Sequence, residues 1–278
     1  MRILIVGCGY VGSALAELLL PDGHSVFGLR RKVGALPAGV HPIPADVSNP
    51  KSFTNLPPGI DIVVYAAAAG GFDDARYRAA YVDGPGNVIQ ALVDANQPVR
   101  RFMFVSSTGV YAQENGEWVD ETSPAEQTHF SGAAMLMGER LVRSGPFPSI
   151  VVRFAGIYGP GRTRIIESVR NGTATCPVVP TYLNLIHRHD CAGILHRLIG
   201  LENPEDLYLG VDCEPVERGE LLRWIATQLG LPAPPSGSAD ATGRSARGNK
   251  RCRNTRIIET GYRFRYPTYR HGYAALLR

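Results

Sequence analysis

The sequence lacks the features that mark several large classes of protein. It has five cysteines in 278 residues, and none of them form the C-x-x-C pair found in many metal and redox sites. An odd number of distant cysteines also argues against a disulfide framework, so we expect a reduced, cytoplasmic protein without a metal site. No run of 18 apolar residues is present, so we expect no membrane-spanning helix. The first residues already have the pattern of a strand, so we expect no signal peptide.

Charge is also scarce. Charged residues make up 19% of the chain, and the formal net charge of +4 comes from dispersed basic residues, so nucleic acid is not an expected partner. No internal repeat is evident. The 44% hydrophobic content is typical of a globular protein with a sizeable core. The length fits one large domain, or one domain with a smaller lobe, and we expect a small-molecule substrate.

The first twelve residues, MRILIVGCGYVG, predict a strand, a glycine turn and a helix. In that context the pattern G-x-G-x-x-G, formed by Gly7, Gly9 and Gly12, is a dinucleotide-binding fingerprint. Gly7 allows the tight turn, Gly9 lets a pyrophosphate approach the backbone, and Gly12 lets the helix close onto the strand. We expect the pyrophosphate to bind the N–H groups at the helix start, around Tyr10 and Val11, where the helix dipole favours negative charge.

The position that selects the cofactor follows the second predicted strand, residues 25–29. NAD-binding folds usually place an acidic residue there, which accepts hydrogen bonds from the ribose 2′-OH. Here Arg30 and Arg31 occupy the position, and a guanidinium suits the 2′-phosphate of NADP. A charge-assisted hydrogen bond is worth ~1.5–3 kcal/mol, which corresponds to roughly tenfold or more in affinity. We predict NADP over NAD; the alternative is a solvated basic turn.

Further cofactor residues are predicted at the ends of later strands. A short strand at 43–45 ends at an aspartate that could accept a hydrogen bond from the adenine amino group. A buried strand at 61–68 ends in alanines, which would let ribose or nicotinamide lie against the backbone. A fifth strand, 101–105, runs into the sequence SSTGVY. The residues assigned to the cofactor at these ends are Asp46, Val47, Ala66, Ala67, Ala68 and Ser106, together with Phe154 at the end of a strand at 149–154.

Strands and helices alternate through the first half of the chain, with helices predicted at 73–95 and 130–143. Pro85 should kink or split the first of these. Apolar strands that alternate with helices predict an α/β protein with a doubly wound, parallel Rossmann sheet. We place the Rossmann domain at 1–155, with further sheet elements at about 184–211. Residues 156–278 are predicted to form mainly a smaller substrate-binding lobe, interleaved with that core.

The second half is less regular. We predict a strand at 207–211, helices at 218–229 and 269–277, and Asp190 as the N-cap of an earlier helix. Residues 232–249 are crowded with proline, glycine and serine and are expected to form a mobile loop. The basic stretch 244–256 is interpreted as a solvated loop rather than a phosphate-binding lid.

Four motifs, taken together, resemble the extended and atypical short-chain dehydrogenase/reductases of the NAD-dependent epimerase/dehydratase family. They are the glycine turn, SSTGVY, RFAGIYGPG and IHRHDCA, and they cover residues 1 to about 200 in the family's order. The family usually has G-x-x-G-x-x-G, whereas here Val6 holds the first glycine position. The ending NKRC followed by a tyrosine-rich helix resembles a subgroup of bacterial atypical members. The resemblance implies a Rossmann fold and an oxidoreductase, epimerase or dehydratase reaction.

The main departure lies in the helix at 130–143. Family enzymes carry Y-G-x-x-K-x-x-x-E there, and the aligned glycine and glutamate, Gly132 and Glu139, are present. Ser131 stands where the family has the proton-donating tyrosine, and Met135 stands where it has the lysine. A positioned acid/base group contributes ~10²–10⁴ in rate, so the usual mechanism should be disabled.

Other residues are candidates for the missing role. Tyr111, Tyr158 and Tyr81 could each supply a proton, although a buried aromatic ring with a satisfied hydroxyl is the alternative for each. Ser107 aligns with the family residue that binds the substrate oxygen, and turn-capping is its alternative. We assign Ser107 and Tyr111 to catalysis. The residues assigned to the substrate are Ser107, Thr108, Tyr158 and His187, the last with a structural alternative.

Two functions are compatible with these residues. The first is an NADP-dependent oxidoreductase or epimerase-type enzyme that acts on a small carbonyl or hydroxyl compound with non-standard acid/base groups. The second is an inactive NADP-binding redox sensor or partner protein. The motifs SSTGVY and YGPG favour the enzyme, because they belong to the substrate side of the family's site. The resemblance also suggests a homodimer formed through the helices at about 73–97 and 130–144.

Overall fold

The computed structural model describes residues 1–127, 129–237 and 248–277. The strands in these residues are β1 Arg2–Val6, β2 Ser25–Arg30, β3 His41–Pro44, β4 Ile62–Tyr65, β5 Arg101–Ser107, β6 Glu117–Val119, β7 Ser149–Phe154, β8 Gly156–Tyr158, β9 Cys176–Pro177, β10 Tyr182–Leu183, β11 Leu185–His187, β12 Leu207–Gly210, β13 Val216–Glu217, β14 Ser236–Gly237 and β15 Lys250–Cys252. The main feature is a seven-stranded parallel sheet with the strand order β12-β7-β5-β4-β1-β2-β3. Within the described residues, four short two-stranded sheets accompany it.

Helices connect these strands. They are α1 Tyr10–Leu19, α2 Asp74–Arg78, α3 Gly84–Asp94, α4 Phe130–Arg143, α5 Arg164–Arg170, α6 Arg188–Ile199, α7 Arg218–Gln228, α8 Thr255–Glu259 and α9 Tyr269–Leu277. Strands alternating with helices make the predicted α/β Rossmann fold, which is confirmed. Among the helices that the structure describes, none combines the length and apolar character needed to cross a bilayer.

The central strands are apolar on both faces, as the sequence predicts. Leu4 and Val63 are register partners in the parallel β1–β4 pair, and both are fully buried. The strand predicted at 61–68 is shorter than expected, because β4 ends at Tyr65 and the alanines follow it in a loop. The difference has a simple cause: the pairing of β4 with β1 ends where β1 turns into the glycine loop at Gly7.

The helix predicted at 73–95 runs from Asp74 to Asp94 and contains a π-helical interruption. A π-helical turn, Ala79–Asp83, separates α2 from α3, and Pro85 occupies the first turn of α3. Proline has no N–H to donate and is tolerated at that position. The buried Tyr65 hydroxyl donates to the Ala80 carbonyl at 2.5 Å, and a side chain on Gly84 would collide with that hydroxyl. Tyr65 of β4 therefore holds the π-helical turn against the sheet.

The chain divides into two compact units, and each is built from three segments. The first unit comprises Met1–Val110, Ala125–Arg153 and Ala192–Tyr208. Its core joins the faces of β1, β4 and β5 to α3 and α4. The second unit comprises Tyr111–Pro124, Phe154–Cys191 and Leu209–Arg278, and its core includes residues of α5, α7 and α9. The assignment of substrate binding to a second lobe and homodimer formation remain predictions.

Arg101 ties distant segments of the first unit together. Its guanidinium donates to the carbonyls of Leu198, Ile199 and Leu201 at 2.6, 3.0 and 2.7 Å. These are carbonyls at and just after the end of α6, where a helix leaves acceptors unsatisfied and where positive charge is favourable. The side chain therefore caps α6 from the first residue of β5.

Two expectations for the second half need correction or qualification. Residues 238–247 of the predicted mobile loop, with Arg244, lie outside the described residues. The basic stretch 244–256 is not a solvated loop where it is described, because Lys250–Cys252 forms β15 and pairs with β6. The Arg251 guanidinium of β15 lies 5.0 Å from the ring centroid of Trp118 in β6. It also lies 4.8 Å from the ring centroid of Tyr182 in β10.

Candidate functional site

The glycine loop between β1 and α1 has the geometry that its sequence predicts. Gly7 has a φ of +81°, a left-handed conformation that favours glycine, and a Cβ there would overlap the backbone of Ala67. A Cβ on Gly12 would lie 2.8 Å from Ile5 Cγ2 and 2.9 Å from the Gly7 carbonyl oxygen. Gly7 is therefore required by packing against the segment after β4, and Gly12 by packing against β1 and the Gly7 carbonyl.

Gly9 differs from the other two glycines. A Cβ on Gly9 would meet only the Gly7 carbonyl oxygen, at 3.8 Å, so the space beside it is open. Gly9 is also the N-cap of α1, where it offers no side-chain hydrogen bond, and the first turn of α1 has no acidic residue. An open cradle at a helix N-terminus without an internal anion fits a dinucleotide pyrophosphate. Tyr10 and Val11 form the first turn of that helix.

Arg30 lies at the end of β2, next to the glycine loop. Its Nη1 donates to the Cys8 carbonyl at 3.3 Å, the one hydrogen bond that its guanidinium makes within the described residues. Arg31 is mostly exposed, and its Nη1 lies 4.0 Å from Asp46 Oδ2. The other Asp46 oxygen accepts from the Ser48 N–H at 3.0 Å and from the Ser48 hydroxyl at 2.7 Å. These hydrogen bonds lower the pKa of Asp46, so the carboxylate is charged at neutral pH.

The remaining strand ends of the first unit lie near this loop. Ala66 donates its N–H to the Val6 carbonyl at 2.8 Å, and Ala67 packs its backbone against Gly7. Ala68 is exposed in the same loop. The Val47 carbonyl accepts from Asn87 Nδ2 at 2.9 Å, which ties the loop after β3 to α3. The structure thus places the predicted nucleotide residues of the first unit at the carboxyl ends of β1 to β5, the edge where such sheets bind ligands.

The two serines that end β5 and the threonine that follows them have different surroundings. The Ser106 hydroxyl is buried and donates to Glu139 Oε1 at 2.6 Å, so it is already committed within the protein. Ser107 Oγ is partly exposed and accepts the Gly109 N–H at 3.0 Å, which is the turn-capping alternative. Thr108 is buried at the start of a 3₁₀ turn, Thr108–Val110. Of the three, Ser107 is the side chain with access to a ligand.

Glu139 is the centre of a buried charged network. Arg153 Nε donates to its Oε1 at 2.9 Å and Arg153 Nη2 to its Oε2 at 2.6 Å, a two-point pair whose side chains are 4% and 6% exposed. Arg153 belongs to β7 and Ser106 to β5, so the carboxylate of α4 binds two strands of the sheet. The network fixes the end of β5 at Ser106, next to Ser107.

The start of α4 contains a feature that the sequence reading missed. His129 is the N-cap of α4, and its Nδ1 accepts the Ser131 N–H at 3.2 Å and lies 3.0 Å from Ser131 Oγ. Ser131 therefore occupies the position of the family's tyrosine, and its hydroxyl contacts the imidazole of His129. Met135, at the lysine position, packs against the core of the first unit.

In the second unit, the predicted site residues are buried. The Tyr111 hydroxyl donates to the Asp120 carbonyl at 2.7 Å, and its ring is fully buried, which favours the structural alternative over an acid role. The Tyr111 carbonyl accepts from Lys250 Nζ at 3.1 Å, and burial lowers the pKa of that amine. Phe154 is buried with its ring against Gly210, where a side chain would collide with it. In the first unit, Tyr81 is likewise buried, in the π-helical turn.

Tyr158 and His187 lie together in an aromatic cluster of the second unit. Their ring centroids are 5.3 Å apart, and Tyr158 stacks on Tyr273 at 4.4 Å. His187 is 1% exposed, its ring lies 4.0 Å from that of Tyr266, and its Nδ1 accepts the His189 N–H at 3.2 Å. Burial raises the pKa of Tyr158 and, with the nearby His189, lowers that of His187 to about 4. These surroundings favour the structural alternative for His187.

We expect this buried histidine to make the protein sensitive to acid. Because its folded-state pKa lies below the ordinary value of ~6.5, stability is present above pH 6.5 and is lost as the pH falls toward 4. The contribution is up to ~3 kcal/mol at 1.36 kcal/mol per pKa unit. His187→Phe should keep the ring contacts and flatten urea-unfolding stability over this pH range. The exposed His271→Gln is the control, and parallel curves for wild type and His187→Phe would contradict the expectation.

Asp190 has a role other than the predicted N-cap. The helix begins at Arg188, so Asp190 lies in its first turn. Its carboxylate accepts from the Tyr262 hydroxyl at 2.8 Å and from the N–H groups of Arg265 and Tyr266 at 2.7 and 3.0 Å. The buried side chain therefore holds the segment before α9. In the part of the chain described, no group of three or more His, Cys, Asp or Glu side chains could hold a metal ion.

The sheet and its glycine loop define a dinucleotide-binding α/β protein of the Rossmann type. The model of the NAD dependent epimerase/dehydratase family matches residues 3–191, and the chain belongs to this family. The resemblance seen in the motifs is thereby confirmed, together with the family's NAD(P)-binding, oxidoreductase character.

Several relatives match over nearly their full length. A solved structure from Methylobacillus flagellatus, described as an NAD-dependent epimerase/dehydratase, is 39% identical, with a TM-score of 0.83 over 99% of this chain and 97% of that one. The epimerase family protein SDR39U1 of Bos taurus is 25% identical over 96% of each chain. The human SDR39U1 structure, which contains NADPH, is 21% identical, with a TM-score of 0.82 over 100% of this chain and 99% of that one.

Proposed function

We propose that this protein binds NADP(H) and catalyses hydride transfer to or from a small carbonyl or hydroxyl compound. The observation that carries the cofactor choice is Arg30, whose guanidinium is held beside the glycine loop by the Cys8 carbonyl. A guanidinium has five N–H donors, so the others can bind a 2′-phosphate. When bound, the nicotinamide supplies or accepts the hydride. The NADPH in the human SDR39U1 structure supports the choice for a family member of the same fold.

Different residues of the first unit would bind different parts of the dinucleotide and the substrate. The N-terminal turn of α1 would hold the pyrophosphate, Gly9 would admit it, and Arg30 with the more exposed Arg31 would hold the 2′-phosphate. Ala66–Ala68 would lie along the ribose, since small side chains leave the backbone accessible. Ser107 Oγ would bind the substrate oxygen.

An inactive NADP-binding sensor is the second candidate. The observation that favours it is Met135, which packs its apolar side chain against the core at the position of the family's lysine. The two candidates share the cofactor and differ in turnover. NADPH oxidation measured with a panel of carbonyl compounds distinguishes them: turnover of any compound supports the enzyme, and tight NADPH binding without turnover supports the sensor.

We expect Arg30→Asp to remove the cofactor preference. In the unmodified protein NADPH should bind roughly tenfold or more tightly than NADH, because the guanidinium makes charge-assisted hydrogen bonds to the 2′-phosphate. Calorimetric titration with both nucleotides measures this ratio. Arg170→Asp is the control, because it makes the same charge change on the exposed end of α5. Equal affinities in the unmodified protein would show that Arg30 does not read the 2′ position.

A further inference from the structure

Ser131 and His129 are held in a fixed mutual geometry at the start of α4. The imidazole Nδ1 accepts the Ser131 N–H at 3.2 Å, so Nδ1 is the unprotonated nitrogen in this arrangement. Ser131 Oγ, 3.0 Å from the same nitrogen, can then be the donor of the second hydrogen bond. With Nδ1 unprotonated, the serine hydroxyl lies within hydrogen-bonding distance of a nitrogen that is able to take its proton.

Aromatic side chains fix the orientation of the imidazole. The Phe72 ring lies 6.1 Å from the imidazole centroid with an interplanar angle of 8°, and the Phe130 ring lies 4.3 Å away. Phe72 also contacts Phe130 at 5.1 Å and Tyr77 at 5.6 Å. The imidazole therefore lies against an aromatic wall, which limits its rotation.

The pair lies at the ligand-binding edge of the first unit. Gly132, next to Ser131, is so close to the turn after β5 that a Cβ would lie 3.2 Å from the Gly109 carbonyl oxygen. Ser107 is the last residue of β5 and directly precedes that turn, and both Ser107 and Ser131 are partly exposed. The start of α4 therefore packs on the strand end that the proposed function assigns to the substrate oxygen.

We propose that Ser131 is a catalytic acid/base residue and that His129 is its proton-accepting positioning residue. This inference rests on the proposed function. In the oxidation direction, Ser131 Oγ takes the proton of the substrate hydroxyl and passes its own proton to His129 Nδ1. The C–H bond breaks as hydride leaves to NADP⁺, and the oxygen electron pair freed by deprotonation forms the C=O bond. The imidazolium then loses its proton to water, and reduction reverses each transfer.

Three variants test the pair. Ser131→Ala removes the hydroxyl, and His129→Asn removes the basic nitrogen while keeping an oxygen that can cap α4. Each should lower kcat by ~10²-fold or more on whichever carbonyl compound the unmodified protein turns over, with NADPH affinity unchanged. The double variant should be no slower than either single one, because the two residues act as a unit. Ser144→Ala, at the other end of α4, should leave kcat unchanged.

Nuclear magnetic resonance of the cofactor-free protein gives a second readout. The His129 ring nitrogens are assigned from the signals that disappear in His129→Asn. We expect an unprotonated, hydrogen-bonded Nδ1 in the unmodified protein and a shift of its resonance in Ser131→Ala. A protonated Nδ1, or an unchanged kcat in Ser131→Ala, overturns the inference. Failure of the unmodified protein to bind NADPH or to turn over any compound overturns the proposed function itself, and so is distinguished from failure of the pair.

Discussion

Replacing Glu139 with alanine is expected to lower the free energy of unfolding by about 3–5 kcal/mol, because it leaves the Arg153 guanidinium buried and without its carboxylate. The Ser106 hydroxyl loses its acceptor in the same change. Urea unfolding followed by circular dichroism measures the loss. Glu167→Ala, which removes an exposed partner of Arg170, should change stability by about 0.5 kcal/mol or less.

A double-mutant cycle separates the buried pair from simple loss of packing. Replacing both partners, as Glu139→Leu with Arg153→Met, removes the unpaired charge and should cost much less than the sum of the two single changes. Additive losses would contradict this account. They would mean that the contacts of the two hydrocarbon chains, rather than their charges, hold α4 to the sheet.

Gly9→Ala is expected to weaken NADPH binding about 100-fold, because its methyl group would occupy the open space where the pyrophosphate approaches. The estimate corresponds to the loss of about 3 kcal/mol, or one to two charge-assisted hydrogen bonds. The unfolding free energy should fall by only about 1 kcal/mol or less, since the new Cβ meets a single atom, at 3.8 Å. Fluorescence titration with NADPH and urea unfolding measure the two quantities.

Gly23→Ala is the matched control for this change. Gly23 has a φ of +76° with open space around its Cβ position, in the turn that follows α1, whereas the glycine loop precedes that helix. Alanine there should cost about 1–2 kcal/mol of stability through backbone strain alone and leave NADPH affinity unchanged. If Gly9→Ala bound NADPH as tightly as the unmodified protein, the pyrophosphate could not lie on this loop.

The first half of the fold was predictable because its signals are local. A glycine with positive φ at Gly7, a close helix contact at Gly12 and fully apolar strands each leave a mark in a few consecutive residues. An irregularity in the helix at 73–95 could also be expected from Pro85. The π-helical form of the turn could not, because it depends on the Tyr65 hydroxyl, which arrives from β4.

The sequence predicted which strand ends form the candidate site. It did not predict which hydrogen bonds the side chains at those ends make. The direction of the Tyr111 hydroxyl depends on the loop carbonyl of Asp120, which no periodicity marks. Three-residue strands such as β15 are too short to show a pattern, and the partner of β15 lies about 130 residues earlier. The contact between His129 and Ser131 depends on His129 being the N-cap of α4, and histidine is not among the residues that usually predict an N-cap.

Arg101 also has a consequence for the order in which the chain can fold. Its three carbonyl acceptors come from residues 97 to 100 positions later in the sequence. Bringing such distant partners together carries a large loop-closure entropy, and contacts of this kind slow folding. While β5 emerges during synthesis, its first side chain must stay hydrated until α6 exists. The capped end of α6 is therefore expected to be among the last parts of the first unit to reach its final structure.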